Sequence, residues 1–426
     1  MSKRSLAEWL QWQETLNPVE IDLGLERVRA VADVLGLCQP ENGVFLVAGT
    51  NGKGSVVAAL DALLLAAGLQ VGTYTSPHLQ RYNERICING APVSDDRLVA
   101  AFEAVEACRG EHSLTYFEYG TLAALWLFSA AGLDAWVIEV GLGGRLDATN
   151  IVDPDISLIT TIALDHEAWL GDSIEAIAVE KAGIMRAGKP VLFGDPAGCA
   201  TIVSEAERLG ARLLLQGEDF GFAATAVDWD YESKRQGIAG LTLPPGDPLV
   251  QLQNRSLALA AVELLRPEVL ADTVAVQEAL SAPLPPGRFQ SVSRNGRDWV
   301  LDVGHNPQAI AALASNLSSL PDKPLTIVLG MLEDKQAEAA ARLLAPLAQC
   351  WVLTDVGGSR GQSARELAER LSLASIENVH IAAESSEAFR LAEELTPASG
   401  RVLVCGSFFI VGPALEWLTI DAELAG

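Results

Sequence analysis

The run Val44-Phe-Leu-Val-Ala-Gly-Thr-Asn-Gly-Lys-Gly-Ser55 limits what this chain can fold into more than any other stretch. Four apolar residues read as a buried strand, and a glycine-rich turn then opens onto the helix-like run Val56–Ala67. Glycines let successive backbone N–H groups converge on an anion, and the start of a helix adds partial positive charge there. In such a phosphate loop Lys53 meets the β- and γ-phosphates and the Ser55 hydroxyl a Mg²⁺ ion. The spacing departs from the standard loop, since Gly54 separates Lys53 from Ser55 and no glycine stands five before Gly52. A glycine turn between a strand and a helix, with no ligand, is the plainer alternative.

The motif is carried by 426 residues, more than one ordinary core accommodates, so two domains are expected. A hydrophobic fraction of 49% supports well-filled cores. The formal net charge of −25 repels phosphate backbones and anionic lipid, so neither nucleic acid nor a membrane surface is an expected partner. Anionic substrates must then be met by locally placed cations; Lys53, Arg81, Arg85, Arg145 and Arg288 lie in glycine-rich or irregular segments. The six cysteines form no C-x-x-C pair and read as small apolar residues in a reducing compartment. The first ten residues carry charges but no apolar core of a signal peptide, and the apolar stretch Thr121–Leu133 is too short to span a bilayer. A cytoplasmic location is expected.

Residues 44–215 alternate short apolar runs with helix-like segments, the pattern of a parallel α/β sheet. The strand candidates are Val44–Val47, Ala135–Val140, Ile156–Ile162, Val191–Phe193 and Arg212–Leu215, with shorter strands at Phe222–Trp229 and Ile238–Leu243 and a helix at Ser256–Leu265. The proline-rich segment Ser281–Gln290 is the expected domain boundary. Alternation restarts beyond it with Trp299–Val303, Leu325–Leu329, Trp351–Thr354, Val379–Ala382 and Val402–Cys405. The expected architecture is α/β: a P-loop-type parallel-sheet domain over residues 1–285, then a smaller Rossmann-like domain over 286–426.

Several residues carry chemistry in this frame. Glu139 ends a strand candidate, where ligands of open α/β sheets gather and where an acid can hold Mg²⁺; a buried acid satisfied by glycine amides is the alternative. His166 also follows a strand, although a single histidine is more often a hydrogen-bonded core residue. Lys181, within Glu180-Lys-Ala-Gly-Ile184, reads as a solvated lysine of a helix. The irregular segment Ser76–Arg85 suits a loop over a site, or a polar surface connection. Thr115 followed by Glu118 is a capping-box pattern, a complete explanation of that pair by itself. Asp302, His305 and Asn306 close a strand, and Pro307 can open the next helix.

Taken together, the motifs Gly49–Ser55, Ser76-Pro-His-Leu79, Glu139–Asn150, Leu164-Asp-His166, Glu180–Ile184, Pro286-Gly-Arg-Phe289 and Asp302–Pro307 resemble, in this order, the folylpolyglutamate synthase/dihydrofolate synthase group of the Mur ligase superfamily. The resemblance runs from Asp22 to Phe408. It implies an ATP-dependent ligase that adds L-glutamate to dihydropteroate and to reduced folates through an acyl phosphate, acting as a monomer on small molecules. Folylpolyglutamate synthesis alone, or another Mur-type ligation, is the alternative; a nucleotide-dependent switch leaves the second domain without a task. The resemblance assigns the ATP phosphates to Thr50, Asn51, Gly52, Lys53, Gly54 and Ser55, and nucleotide contacts to Asn254, Arg288 and Asp302. It assigns a first Mg²⁺ to Ser55 and Glu139 and a second to His166. Lys181 matches a lysine that is carbamylated in the superfamily, and His305 lies in the cleft between domains. For the pterin-bearing acid it points to Asp22, Leu23, Gly24 and Leu25, to Ser76, to Thr115, Tyr116, Phe117 and Glu118, and to Leu146, Asp147 and Ala148. Ser407 is matched to the incoming glutamate, with Phe409 standing nearby where some relatives have a polar side chain.

Overall fold

The computed structural model describes all residues except 1–3, 18, 20, 38, 40–42, 244–248, 359 and 425–426; Cys38 therefore lies outside the described residues. The chain divides into two compact units, Met1–His78 with Tyr82–Pro283, and Leu79–Arg81 with Leu284–Gly426.

The first unit is built on eight strands: β1 (Val44–Ala48), β2 (Val71–Tyr74), β3 (Ile86–Ile88), β4 (Ala91–Pro92), β5 (Ala135–Glu139), β6 (Ile156–Ile159), β7 (Pro190–Phe193) and β8 (Arg212–Leu215). Their order across the sheet is β4-β3-β2-β5-β1-β6-β7-β8, parallel except for the β2–β3 and β3–β4 pairs. The central strand β1 is apolar throughout and buried throughout, as a strand covered on both faces must be. Side chains alternate across the pleat: Val44, Leu46 and Ala48 enter one core, Phe45 and Val47 the other. The first core is closed by the helices Leu6–Leu16, Glu26–Leu35, Asp95–Arg109 and Tyr116–Ala131; the second by Lys53–Ala66, Leu249–Leu265 and Thr273–Leu280. A separate antiparallel sheet, β9 (Phe220–Ala224), β10 (Asp228–Ser233) and β11 (Gly237–Thr242), adds Trp229 and Tyr231 to the second core.

The second unit holds β12 (Gln290–Arg294), β13 (Arg297–Asp302), β14 (Leu325–Leu329), β15 (Cys350–Thr354), β16 (Val379–Ala382) and β17 (Arg401–Cys405), in the order β12-β13-β17-β14-β15-β16. Only the β12–β13 pair is antiparallel. Among the described residues no helix is long and apolar enough to cross a membrane.

The expected strands appear, with three differences that have physical causes. The candidate Phe222–Trp229 is two strands, because Val227 N and Asp228 N turn back onto the Thr225 hydroxyl. Strand Ile156–Ile162 stops at Ile159, and the next residues leave the ladder to bond the phosphate loop. Strands β2, β3, β4 and β12 are two to five residues long, too brief to impose a legible period.

The start of β1 is fixed by one buried acid. Asp155 Oδ2 accepts from Gly43 N at 2.8 Å and Val44 N at 3.1 Å, while Oδ1 meets Lys189 Nζ at 3.0 Å. Replacing Asp155 by Ala strands two buried N–H groups, so Asp155→Ala is expected to lose roughly 2–4 kcal/mol of stability. Urea unfolding should show a lower midpoint at unchanged slope; an unmoved midpoint would contradict the assignment.

Candidate active site

The phosphate loop leaves the carboxyl end of β1, flanked by the ends of β5 and β6. Gly49 takes φ +145°, and a Cβ there would overlap the Thr160 hydroxyl. Gly52 takes φ +89°, and its missing Cβ leaves room for the Asn254 amide, whose Oδ1 would stand 2.6 Å away. Only glycine satisfies both positions. The loop is fastened to the segment after β6: Thr50 N donates to Thr161 O at 2.8 Å, Asn51 N to Thr161 Oγ1 at 3.2 Å, Thr160 Oγ1 to Asn51 O at 2.6 Å, and Ala163 N to Thr50 Oγ1 at 3.0 Å.

Two lysines meet at this loop. Lys53 Nζ donates to Gly49 O at 3.2 Å and lies 4.0 Å from Glu139 Oε1. Lys181 Nζ donates to the same carbonyl at 2.9 Å and is 3% exposed. Burial, and after it the Lys53 charge, pushes the Lys181 amine down to about 7. The residue pattern read Lys181 as solvated; its helix Ile174–Ala182 instead turns it inward with Ile177 and Ala178. Ser55 and Glu139 are both buried, and Ser76 N donates to Glu139 Oε2 at 3.2 Å. Asp165 is buried, and the next residue, His166, precedes a short helix at φ +54°; the His166 N–H donates to Asp165 Oδ1 at 2.9 Å. Asn254 Nδ2 donates to Gln251 Oε1 at 3.2 Å, holding the amide over Gly52.

Among the described residues no three His, Cys, Asp or Glu side chains gather as a metal cage. The buried Ser55 hydroxyl and Glu139 carboxylate are oxygen donors of the kind Mg²⁺ takes in nucleotide sites, where phosphates and water complete its shell. Two amines thus converge on one carbonyl at the root of the loop, with the Glu139 carboxylate 4.0 Å from Lys53, where the phosphates of a nucleotide would lie.

A cleft of 440 Å³ in the same unit is lined by Leu23, Gly24, Leu25, Glu26, Arg27 and Leu146. Arg27, which no sequence pattern marked, grips Asp22 Oδ2 at 2.7 Å and Glu118 Oε1 at 3.1 Å. Glu118 Oε2 accepts from Thr115 N at 2.8 Å while Thr115 Oγ1 accepts from Glu118 N, so this pair forms the capping box. Phe117 stacks toward Tyr74 at 5.9 Å, and Tyr116 meets Tyr82 edge-on at 5.6 Å. Asp147 spends its carboxylate internally, on Leu142 N, Thr149 N and Thr149 Oγ1, which braces the turn ahead of Ala148.

In the second unit, Asp302 accepts from Phe289 N at 2.9 Å and Gly304 N at 2.7 Å. Burial raises its carboxyl and the neighbouring Arg288 charge opposes that rise. Arg288 lies over the Phe408 ring at 5.2 Å, His305 Nδ1 is 2.9 Å from Val303 O, and Asn306 caps the helix opened by Pro307. Ser407 Oγ accepts from Phe409 N at 3.2 Å, and Phe409 is 60% exposed. These groups sit beyond the carboxyl ends of the adjacent strands β13 and β17.

Comparison with known proteins fits both units. Residues 47–240 match the Mur ligase middle domain and residues 287–408 the Mur ligase glutamate ligase domain. The chain is 43% identical over 423 residues to the dihydrofolate synthase/folylpolyglutamate synthase of Escherichia coli K12, covering 99% of this chain and 97% of that one. The chain belongs to the dihydrofolate synthase/folylpolyglutamate synthase family of Mur ligases. These are ATP-dependent ligases. The structure of E. coli FolC in complex with DHPP and ADP superimposes with a TM-score of 0.92 at 41% identity, over 99% of this chain and 98% of that one. A bifunctional folylpolyglutamate synthase/dihydrofolate synthase with Mn, AMPPNP and L-glutamate bound gives 0.88 at 41% identity, over 98% of both chains.

Proposed function

We propose that this family member ligates L-glutamate both to 7,8-dihydropteroate, forming dihydrofolate, and to reduced folates. The observation that carries the reading is the paired Lys53 and Lys181 amines on the Gly49 carbonyl, beside an acid at the end of the neighbouring strand. ATP would lie along Thr50–Ser55 with its γ-phosphate at Lys53. Mg²⁺ on Ser55 and Glu139 would supply charge neutralisation at the transferring phosphoryl group. A second ion would draw on His166. An oxygen of the substrate carboxylate bonds to the γ-phosphorus as the bond to ADP breaks, giving an acyl phosphate. The amine of glutamate, having lost a proton, bonds to the acyl carbon; inorganic phosphate departs and an amide remains. Lys53 keeps its charge next to the phosphoryl group during both steps, the kind of fixed electrostatic support that lowers such barriers.

The cleft at Leu23–Leu25 and Leu146 would take the pterin end, with the Arg27 clamp fixing its wall. Asp147, Thr115 and Glu118 would act there through the turn and helix start that they hold, and Tyr116, Phe117 and Ala148 through contact. Asn254 is read as a nucleotide contact. In the second unit Arg288 and Asp302 are assigned to the nucleotide, His305 to the cleft and Ser407 to glutamate. The working form is read as a cytoplasmic monomer, with domain limits at 1–285 and 286–426.

Phosphate release from ATP should require the acid and L-glutamate together. Release with dihydropteroate plus glutamate and with tetrahydrofolate plus glutamate is the expected result; release indifferent to both would overturn the ligase reading, and release with only the folate would leave the polyglutamylating activity alone. Lys181 is assigned as a carbamate, its neutral amine adding CO₂ and releasing a proton. With an amine at about 7, the neutral share grows as pH rises through that value, so ¹³C-bicarbonate should give a protein carbamate signal stronger at about pH 8 than at about pH 6. The signal should vanish in Lys181→Met, and an unlabelled native lysine would refute the assignment.

A further inference from the structure

One histidine of the loop between β2 and β3 has no task in the scheme above. His78 Nδ1 lies 2.9 Å from Arg85 Nε, and the arginine donates. A guanidinium keeps its protons at every working pH, so the imidazole nitrogen facing it must be the bare one. The single proton of a neutral ring then sits on Nε2. The ring is indeed held neutral: burial, and after it the Arg85 charge, pushes it down to about 4. Arg85 is itself 9% exposed and lies over the rings of Tyr82 at 5.3 Å and Tyr116 at 5.6 Å. The His78 ring packs on Tyr82 at 5.7 Å. A buried cation boxed by two aromatic rings thus fixes both the position and the tautomer of one half-buried imidazole.

Nε2 is the end that Arg85 leaves available, and among the described residues no hydrogen bond from it is formed. Two residues upstream, Ser76 N is tied to Glu139 Oε2 at 3.2 Å, which anchors this loop to the phosphate site. The aromatic box continues into Tyr116, next to the helix start that borders the Arg27 cleft. The donor therefore stands on a loop tied to the phosphate site and beside the Tyr82 and Tyr116 rings, all within one unit. Tyrosine rings beside the donor suit a planar heteroaromatic acid better than the phosphates of a nucleotide.

We propose that the His78 Nε2–H contacts the acid being ligated, donating to an oxygen of its carboxylate and then of its acyl phosphate, and that Arg85 is the positioning residue that enforces this donor tautomer. The proposal rests on the ligase reading above. A neutral donor serves both anionic states without a proton changing hands, so the ring stays neutral throughout.

The test uses the full chain labelled with ¹⁵N in histidine. Long-range ¹H–¹⁵N correlation near neutral pH should give His78 as the Nε2–H tautomer, and Arg85→Met should mix the two tautomers. In kinetics, His78→Leu should lower kcat/KM for the acid on the order of 10–100-fold, the loss of one hydrogen bond to a charged group, with KM for ATP unchanged. His78→Gln, whose amide can donate from a similar point, should recover most of that loss. Unfolding midpoints equal to the native protein's exclude a folding defect. An Nδ1–H tautomer in the native protein, or Leu and Gln variants that behave alike, would overturn the proposal. A native protein that ligates nothing would instead refute the ligase reading, and the tautomer would still decide the role of Arg85.

Discussion

Everything at the site depends on one carbonyl, that of Gly49, which receives two lysine amines at once. Like charges are brought together only where the fold forces them, and here three constraints do so. The central position of β1 buries the loop root. The φ of +145° at Gly49, with no room for a Cβ beside Thr160, admits only glycine at the bend. The bonds from Thr160 and Thr161 to Asn51 prevent the loop from relaxing outward. Burial, and after it the Lys53 charge, then pushes the Lys181 amine down to about 7, toward a nucleophilic neutral form.

The same economy of means explains how a chain of net charge −25 can handle anions. Its bulk field repels them, and attraction is confined to a few residues. Lys53 stands at the loop after β1, Arg27 at the cleft wall, Arg85 at the imidazole of His78, and Arg288 at the turn that Asp302 holds. None of these is a diffuse basic patch. Each is fixed by a short contact to a backbone carbonyl, a carboxylate, an imidazole or a ring, and fixed charges in low-dielectric surroundings act strongly without reorganising.

Legibility in the sequence followed the physics of each element. The phosphate loop, the strand before it and the acid Glu139 were readable because contiguous apolar residues, glycines and a charged group coincide within a few positions. The capping box at Thr115 and Glu118 was readable from its three-residue spacing, and it forms. Lys181 was misread from its own segment, since only packing of its helix against the loop decides which side of the helix is buried. Arg27 was illegible for a related reason, and Arg85 was marked only as a cation in an irregular segment: their partners Glu118 and His78 are set by tertiary contact or by a loop without period. The brief strands β2 to β4 carry too few residues to display alternation, yet they hold the loop that bears Ser76 and His78.

The central claim is that the acid's own carboxylate oxygen takes the γ-phosphoryl group at this loop. Dihydropteroate carrying ¹⁸O in its carboxylate, turned over with unlabelled ATP and L-glutamate, tests it directly. One ¹⁸O atom should appear in each inorganic phosphate released. Phosphate free of label, formed together with dihydrofolate, would mean that no acyl phosphate forms and would contradict the account.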